Sequence, residues 1–229
     1  MNVRRAALAA LVTTLLVSGA SCDRSPAEPT GSKHVAIPTS GGETLDGVEL
    51  GSGSNVAVLT HGATGTMEGY YPLMPVLADA GWRVIAYDAE GVGDSTGAVD
   101  ADRPGDLRAA VAYARSTGGD RVVLVGASLG AFVSLSMGGE VGADAVIALS
   151  PYLGEPADDL AAGLDGIPTM LVVAEDNEPY ASDTRELAEA LGIDAVVVSG
   201  DNHGTGVIAD HPDVSDRIAS FLQDVRSGA

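Results

Sequence analysis

Residues 121–138, RVVLVGASLGAFVSLSMG, decide the fold of this chain. The run Arg121–Val125 is rich in β-branched residues and is typical of a buried strand, whereas Leu129–Met137 is small and apolar and predicts a buried helix. The segment between them, Gly126-Ala127-Ser128-Leu129-Gly130, has the pattern G-x-S-x-G, in which a sharp turn from strand to helix lifts a serine hydroxyl clear of the sheet. Glycines at both ends of the turn allow the two backbones to approach closely. We therefore predict that Ser128 lies at the carboxyl end of a strand, where it is a candidate nucleophile.

The rest of the chain alternates strand patterns with helix patterns. Apolar or alternating runs predict further strands at His34–Ile37, Glu43–Leu50, Asn55–Thr60, Trp82–Tyr87, Ala145–Leu149, Thr169–Ala174 and Ala195–Ser199. The turn Ser40-Gly41-Gly42 joins the first two runs into a hairpin. Apolar residues at helical spacing predict helices between the later strands and a closing helix that contains Val214, Ile218 and Leu222. This alternation predicts an α/β domain with a mostly parallel sheet, helices on both faces, and functional residues at the carboxyl ends of the strands.

The N-terminal segment predicts export. Residues 1–22 combine two arginines, an apolar stretch too short to span a bilayer, and then small residues, which are the parts of a secretory signal. The segment ends at Cys22 in a sequence that resembles the lipobox of bacterial lipoproteins, although Gly19 stands where leucine is usual. We expect Cys22 to be lipidated and to anchor the protein to the outer face of a bacterial cell membrane. Secretion after cleavage near Ala20 is the alternative.

Length and composition limit the number of domains and the kinds of partner that this chain can have. Residues 23–32, rich in Pro, Ser, Thr and Glu, predict a disordered tether, and residues 33–229 suit a single domain with a sizeable core. The formal net charge of −20 argues against a nucleic-acid partner, because binding the phosphate backbone requires clusters of Lys and Arg. A single cysteine excludes an intramolecular disulfide. No spacing of His, Cys, Asp and Glu indicates a metal site.

A serine hydroxyl needs a base to act as a nucleophile, and two histidines follow Ser128 in the chain. His203 lies in a polar loop directly after the last predicted strand, where its side chain can reach over the edge of the sheet. His211 precedes Pro212 at the start of the closing helix and is typical of a turn. We therefore predict His203 as the base.

The base needs a group that orients it, and Asp176 is the candidate acid. It follows the strand Thr169–Ala174, and a carboxylate there would accept a hydrogen bond from the second ring nitrogen of His203 and hold its tautomer. Glu175 and Asp183 are competing candidates. The chain order Ser, acid, His is the one expected for a nucleophile in a G-x-S-x-G turn.

Two backbone N–H groups are candidates for an oxyanion hole. The N–H of Leu129 is one of the first-turn donors of a helix, which have no acceptor within the helix. The N–H of Ala63, in the sequence His61-Gly62-Ala63 after an early strand, is the second candidate. The side chain of His61 is predicted to fix this loop by a hydrogen bond rather than to transfer a proton.

These motifs, in this order, resemble those of the α/β-hydrolase superfamily, and the resemblance covers about His34–Ser227. The loop Asp88–Ser95, DAEGVGDS, also resembles the D-x-R-G-x-G-x-S loop of that superfamily, except that Glu90 stands where arginine is common. The resemblance implies an α/β-hydrolase fold in which Asp176 and His203 serve as the acid and base, with neither cofactor nor metal.

The function favoured by these residues is that of an exported serine hydrolase that cleaves carboxylic esters of small molecules. A peptidase with the same triad and a non-catalytic cell-surface binding protein of the same fold are the alternatives. The connection from Ser150 to Pro168 has room for one short helix, so we expect a minimal cap or none. An open site of this kind suits short acyl groups, with Tyr152 and Leu153 as a candidate apolar wall.

Overall fold

The computed structural model describes residues 26–99 and 101–228. In this part of the chain one sheet contains the strands β1 (Lys33–Pro38), β2 (Thr44–Leu50), β3 (Asn55–Thr60), β4 (Arg83–Tyr87), β5 (Arg121–Ala127), β6 (Ala145–Leu149), β7 (Thr169–Ala174) and β8 (Val196–Val198). The α-helices are α1 (Leu73–Asp79), α2 (Arg103–Ser116), α3 (Leu129–Met137), α4 (Ala157–Gly163), α5 (Tyr180–Leu191), α6 (Gly206–Asp210) and α7 (Pro212–Ser227), and a 3-10 helix, Met67–Tyr70, precedes α1. The strand order is β1-β2-β4-β3-β5-β6-β7-β8.

The arrangement confirms the predicted fold class. Strand β2 pairs antiparallel with β1 and β4, and all other neighbours pair in parallel. Successive side chains of β3 enter different apolar layers, since Val56 and Val58 belong to the buried cluster that includes residues of α2 to α5, whereas Ala57 and Leu59 belong to the cluster that includes residues of α1, α6 and α7. Helices therefore cover both faces of the sheet, which is why its central strands are apolar throughout.

The topology gathers several loops at the carboxyl edge of the sheet. Strand β3 has β4 on one side and β5 on the other, so the loops that follow these three strands lie together. The loop after β8 reaches back over the ends of β7 and β6, where the N–H of Gly204 donates to Ser150 Oγ. Helix α6 follows this loop and is not predicted by the sequence pattern, because five residues are too few to establish a helical period.

Little chain covers this edge. Between Ser150 and Pro168 the only helix is α4, with seven residues, which confirms the prediction of a small or absent cap. In residues 26–99 and 101–228, therefore, no larger cap lies above the loops of the carboxyl edge.

Some predictions concern the N-terminus. The signal segment 1–22, its Cys22, and residues 23–25 of the predicted tether lie outside the described residues. The remainder of the tether, residues 26–32, contains neither helix nor strand. Within residues 26–99 and 101–228, no helix has the length and apolar character needed to cross a membrane.

Candidate active site

Ser128 occupies the turn between β5 and α3. Its backbone has φ 53° and ψ −117°, a conformation that residues other than glycine rarely adopt. Close packing maintains this conformation: a Cβ atom on Gly130 would lie 2.1 Å from the carbonyl oxygen of Thr60, and one on Gly126 would lie 2.2 Å from that of Gly130. Only glycine fits at these two positions, so the strand and the helix enclose the strained serine between them.

His203 lies beside the Ser128 hydroxyl. Its Nε2 is 2.8 Å from Ser128 Oγ, within the distance at which a base can accept the hydroxyl proton. Two contacts hold the histidine in place. The next residue, Gly204, donates its N–H to the buried Ser150 Oγ at 3.0 Å, and the Tyr180 ring packs on the imidazole with 4.0 Å between ring centroids. The structure thus brings the predicted nucleophile and the predicted base together.

The group beside the other ring nitrogen of His203 is Asn177 and not Asp176. Asn177 Oδ1 lies 2.9 Å from His203 Nδ1, so the contact that the sequence predicts for Asp176 is corrected by one residue. The backbone gives the reason. The N–H of Asp176 donates to the carbonyl of Gly200 and continues the pairing of the two loops, which leaves its side chain exposed. The N–H of Asn177 instead donates to the carbonyl of Ala174, and this turn directs the amide toward the histidine.

The competing candidates have other contacts. Asp183 Oδ2 accepts a hydrogen bond from the N–H of Leu153 at 2.9 Å, which ties the loop after β6 to α5. His211 Nε2 donates to the carbonyl of Ser199 at 3.0 Å and fixes the start of α7. Glu175 is exposed directly after β7. Asp183 and His211 therefore have structural roles, because each fixes the position of a loop by a hydrogen bond to the backbone.

His61 holds the loop after β3. Its Nε2 accepts a hydrogen bond from the N–H of Ala89 at 3.0 Å, so the ring proton is on Nδ1, which donates to the carbonyl of Gly62 at 2.7 Å. The side chain is buried. This is the loop-fixing hydrogen bond that the sequence predicts for His61, and it fixes the backbone directly before Ala63.

The two candidate oxyanion donors are on the loop after β3 and at the start of α3. A Cβ atom on Gly62 would lie 3.1 Å from Ser128 Cβ, so the backbone that leads to Ala63 passes directly beside the serine. Ala63 and Ser128 line the same cleft. Leu129 is the first residue of α3, where an N–H has no acceptor within the helix. Both N–H groups therefore belong to segments in contact with the nucleophile.

The loop Asp88–Ser95 contacts the chain that follows Ala63. Asp88 Oδ1 accepts a hydrogen bond from the N–H of Met67 at 2.7 Å, and Ser95 Oγ donates to the Asp88 carbonyl at 2.6 Å. A Cβ atom on Gly93 would lie 2.1 Å from Asp88 Oδ2, which explains the glycine there, with its φ of 55°. Burial raises the pKa of Asp88. The loop thus packs against the chain that follows Ala63.

A cleft of about 270 Å³ opens in front of Ser128. It is lined by Gly62, Ala63, Thr64, Gly65, Ala127, Ser128, Tyr180, His203, Gly204 and Thr205. The candidate wall of Tyr152 and Leu153 lies elsewhere: Tyr152 packs on Phe132 with 5.0 Å between ring centroids, and Leu153 packs against the core. The aromatic residue of the cleft is Tyr180, for which the sequence gives no signal except its position after β7.

The electrostatic environment of His203 is simple. Partial burial lowers the pKa of its imidazole, and it is the one cause that acts on this group among the described residues. Burial thus favours the neutral ring, which is the form that can accept a proton from Ser128.

Comparison with known proteins shows which fold this is. A model of the α/β-hydrolase fold matches residues 56–166. The solved structure of an esterase from Pyrococcus furiosus is similar with a TM-score of 0.70 and 19% identity, over 86% of this chain and 96% of that one. This chain has the α/β-hydrolase fold.

Two further solved structures are similar to this chain. A serine hydrolase without a lid from Xanthomonas campestris has a TM-score of 0.64 and 21% identity, over 86% of this chain and 96% of that one. Est1E from Butyrivibrio proteoclasticus, with ferulic acid bound, has a TM-score of 0.69 and 17% identity, over 84% of this chain and 99% of that one. A search among curated protein sequences finds no match.

The α/β-hydrolase fold orders its triad as Ser, then Asp or Glu, then His. In this chain Ser128 and His203, the predicted nucleophile and base, follow this order and are in contact, and Asn177 lies where the predicted acid is expected. The sequence does place Asn177 in the same loop as the predicted acid Asp176, so the loop that orients the base is predicted correctly. A search for carboxylates alone misses Asn177, since the amide oxygen can accept the same hydrogen bond.

Proposed function

We propose that this protein is a serine hydrolase that cleaves carboxylic esters of small molecules through an acyl-enzyme at Ser128. The observation that carries the proposal is the 2.8 Å contact between Ser128 Oγ and His203 Nε2, made by a serine on a strained turn at the start of α3. A hydroxyl within hydrogen-bond reach of an oriented base is the arrangement that covalent catalysis requires. The similarity to solved esterase structures supports an ester as the substrate.

In the acylation step, Ser128 Oγ attacks the carbonyl carbon of the ester and its proton passes to His203 Nε2. The bond from that carbon to the leaving alkoxide oxygen breaks as the imidazolium returns the proton to this oxygen. A water molecule then attacks the acyl carbon and gives its proton to His203. The carboxylic acid leaves when Ser128 Oγ recovers a proton from the same nitrogen.

Each attack places negative charge on the former carbonyl oxygen. The N–H groups of Ala63 and Leu129 are the groups that we assign to this oxygen, because both belong to segments beside Ser128. Fixed backbone donors stabilise the tetrahedral intermediate without reorganising. The hydrogen bond from His61 to Gly62 keeps the Ala63 loop in this position.

The shape of the site supports short acyl groups. The cleft is small, and its lining is made largely of glycine, alanine, serine and threonine. The only helix in the connection after β6 is α4, so the part of the chain that the structure describes has no cap that would enclose a long apolar acyl chain. Initial rates with p-nitrophenyl esters from acetate to palmitate should be highest at butyrate or shorter. A maximum at decanoate or longer would contradict the open-site proposal.

The proposal is tested by replacing the nucleophile. Ser128→Ala should lower kcat for p-nitrophenyl acetate by at least about a thousandfold, because the acyl-enzyme cannot form, and His203→Ala should cause a comparable loss. The matched control is Ser136→Ala, which removes an exposed serine hydroxyl from the same helix, α3, and should keep full activity. Retention of more than about a hundredth of the activity in Ser128→Ala would contradict the proposal.

We also propose that the protein is exported and is held on the outer face of a bacterial membrane by lipid on Cys22. The leader-like residues 1–22 and the lone cysteine support this proposal. Stable anchoring needs more than one acyl chain, as bacterial lipoproteins have. Cys22→Ala should move the protein from the membrane fraction to the soluble fraction. A mature N-terminus at Ser21 on wild-type protein found free in the medium would contradict lipidation.

A further inference from the structure

The imidazole of His203 makes two side-chain hydrogen bonds, and neither partner carries a charge. Nε2 contacts the Ser128 hydroxyl at 2.8 Å and Nδ1 contacts the amide oxygen of Asn177 at 2.9 Å. Because an amide oxygen only accepts hydrogen bonds, Nδ1 must carry the proton and Nε2 must be the free acceptor. This is the tautomer that a base for Ser128 needs.

Tyr180 on α5 contacts this ring, and further titratable groups are on the loops and helices that adjoin it in the fold. They are Glu175, Asp176 and Glu178 in the loop after β7, Asp201 in the loop of the histidine itself, Asp210 on α6, and His211 at the start of α7. Two of the carboxylates have partners of their own. Glu178 lies 3.4 Å from the Arg185 guanidinium, and Asp210 accepts a hydrogen bond from the side-chain amide of Asn202 at 2.7 Å.

We propose that the third member of the catalytic arrangement is the neutral amide of Asn177, which positions His203 and fixes its tautomer without supplying a countercharge. This rests on the proposed function in one respect, that His203 is the base for Ser128. Asn177 is a positioning residue, since it contacts the base and not the substrate. The arrangement is Ser128–His203–Asn177, and Asp176 has no part in it.

A neutral positioning group has a specific consequence for pH dependence. A carboxylate at this place would stabilise the imidazolium and raise the pKa of His203. With Asn177, partial burial is unopposed, so the pKa lies below its ordinary value. His203 therefore stays in its active, neutral form to lower pH than it would beside a carboxylate. The acid limb of kcat/KM should lie below the ordinary histidine value.

The experiment compares Asn177→Asp, Asn177→Ala and the control Asp176→Asn, each as the full chain, with kcat/KM measured across pH. Asn177→Asp should remain active but move the acid limb upward by about one pH unit, because it adds a charge beside Nδ1. Asn177→Ala should lower kcat/KM by about a hundredfold, because the ring loses its orientation. Asp176→Asn should change neither quantity, since it removes an exposed carboxylate from the same loop. A large loss in Asp176→Asn, or an unchanged pH profile in Asn177→Asp, would overturn the proposal.

A second readout separates this inference from the proposed function. Nitrogen-15 NMR of the imidazole reports the tautomer and the pKa of His203 whether or not the protein hydrolyses esters. We expect the proton on Nδ1 in the wild type and in Asp176→Asn, and a raised pKa in Asn177→Asp. If wild-type protein shows this signature and no ester hydrolysis, the proposed function fails while the role of Asn177 stands. A proton on Nε2 in the wild type overturns the role of Asn177.

Discussion

At the amino end of the sheet positive charges are paired with carboxylates, whereas at the carboxyl end the loops carry carboxylates without lysine or arginine. At the amino end the buried Arg83 lies 3.3 Å from Glu49, and Lys33 contacts the same carboxylate at 2.9 Å. The loops at the carboxyl end, which contain no Lys or Arg, are residues 61–66, 88–99 with 101–102, 150–156, 175–179 and 199–205, and the arginine directly after residue 102 is the buried Arg103 at the start of α2. The strained residues Ser128 and Ser150 also lie at the carboxyl end.

This difference separates the parts of the molecule that stabilise it from the parts that carry the candidate chemistry. Contacts at the amino end pair buried charges and link β2 with its neighbours β1 and β4. Contacts at the carboxyl end hold a strained serine and buried carboxylates such as Asp88, which are unfavourable by themselves. Changes at the amino end should therefore alter stability and leave kcat/KM unchanged. Substitutions at the carboxyl end should alter activity, and those that remove a buried charge should increase stability.

The largest effect is expected where the strand and helix of the carboxyl end approach most closely. Gly130→Ala would place a methyl group 2.1 Å from the carbonyl oxygen of Thr60, so we expect loss of folded, active protein. Gly163→Ala is the matched control, because a methyl group there would meet no atom within 4 Å. Circular dichroism and thermal unfolding measure both variants. A normally folded and active Gly130→Ala protein would show that the turn is not rigid.

The next effect concerns the amino end. Arg83→Met removes the cation that contacts Glu49, Thr117 and the carbonyl of Ala114, and it leaves a buried carboxylate with Lys33 alone. Breaking a buried ion pair in this way should lower the free energy of unfolding by about 3 kcal/mol. At a temperature where the variant is folded, kcat/KM should equal that of the wild type.

The control for this change is Arg217→Met, which breaks the exposed pair with Asp213 at 3.3 Å. An exposed pair contributes little, so the loss should stay below about 0.5 kcal/mol. Urea unfolding at neutral pH compares the two variants. An equal loss of unfolding free energy in both variants would show that the burial of Arg83 does not increase the contribution of its ion pair to stability.

A buried carboxylate at the carboxyl end should reduce stability at neutral pH. Burial raises the pKa of Asp106 from 3.8 to about 6, and its Oδ1 has no hydrogen-bond partner in the described part of the chain. The folded protein therefore holds this proton more tightly than the unfolded chain does. The contribution of protonated Asp106 to the free energy of unfolding is fully present below about pH 4. It is lost as the pH rises through about 6.

Asp106→Asn removes this pH dependence of the unfolding free energy and keeps a side-chain oxygen that can accept a hydrogen bond from the N–H of Glu90. Its unfolding free energy should exceed that of the wild type by about 2 kcal/mol at pH 8, and the difference should shrink toward pH 4. Urea unfolding at the two pH values measures this. A difference that grows toward acid pH would show that the charged form of Asp106 is favoured in the folded state.

The smallest effect concerns substrate charge. Since the loops at the carboxyl end contain carboxylates and no Lys or Arg, the field at the cleft should disfavour anionic substrates. We expect kcat/KM for p-nitrophenyl hydrogen succinate to be about tenfold lower than for the butyrate ester at low salt, with the gap narrowing at high salt. Equal values at low salt would mean that these charges do not act on the substrate.

The fold and half of the candidate site follow from sequence patterns, and the rest depends on loop geometry. Apolar strands such as β3 and β6 are recognised at their observed bounds, because residues buried on both faces must be apolar. The G-x-S-x-G turn locates Ser128 because steric limits there permit only glycine at its ends. Asn177 and Tyr180 escape prediction, because the direction of a loop side chain is set by backbone hydrogen bonds that leave no periodic pattern.

The central claim, that Ser128 is an activated nucleophile, is tested most directly by labelling with a fluorophosphonate, which reacts with such serines and forms a stable adduct. Intact mass followed by peptide mapping should show one adduct on wild-type protein, located at Ser128, with none on Ser128→Ala and much slower labelling of His203→Ala. The adduct should form normally on the Asp176→Asn protein. Failure of the wild-type protein to react, or an adduct that persists in Ser128→Ala, would contradict the claim.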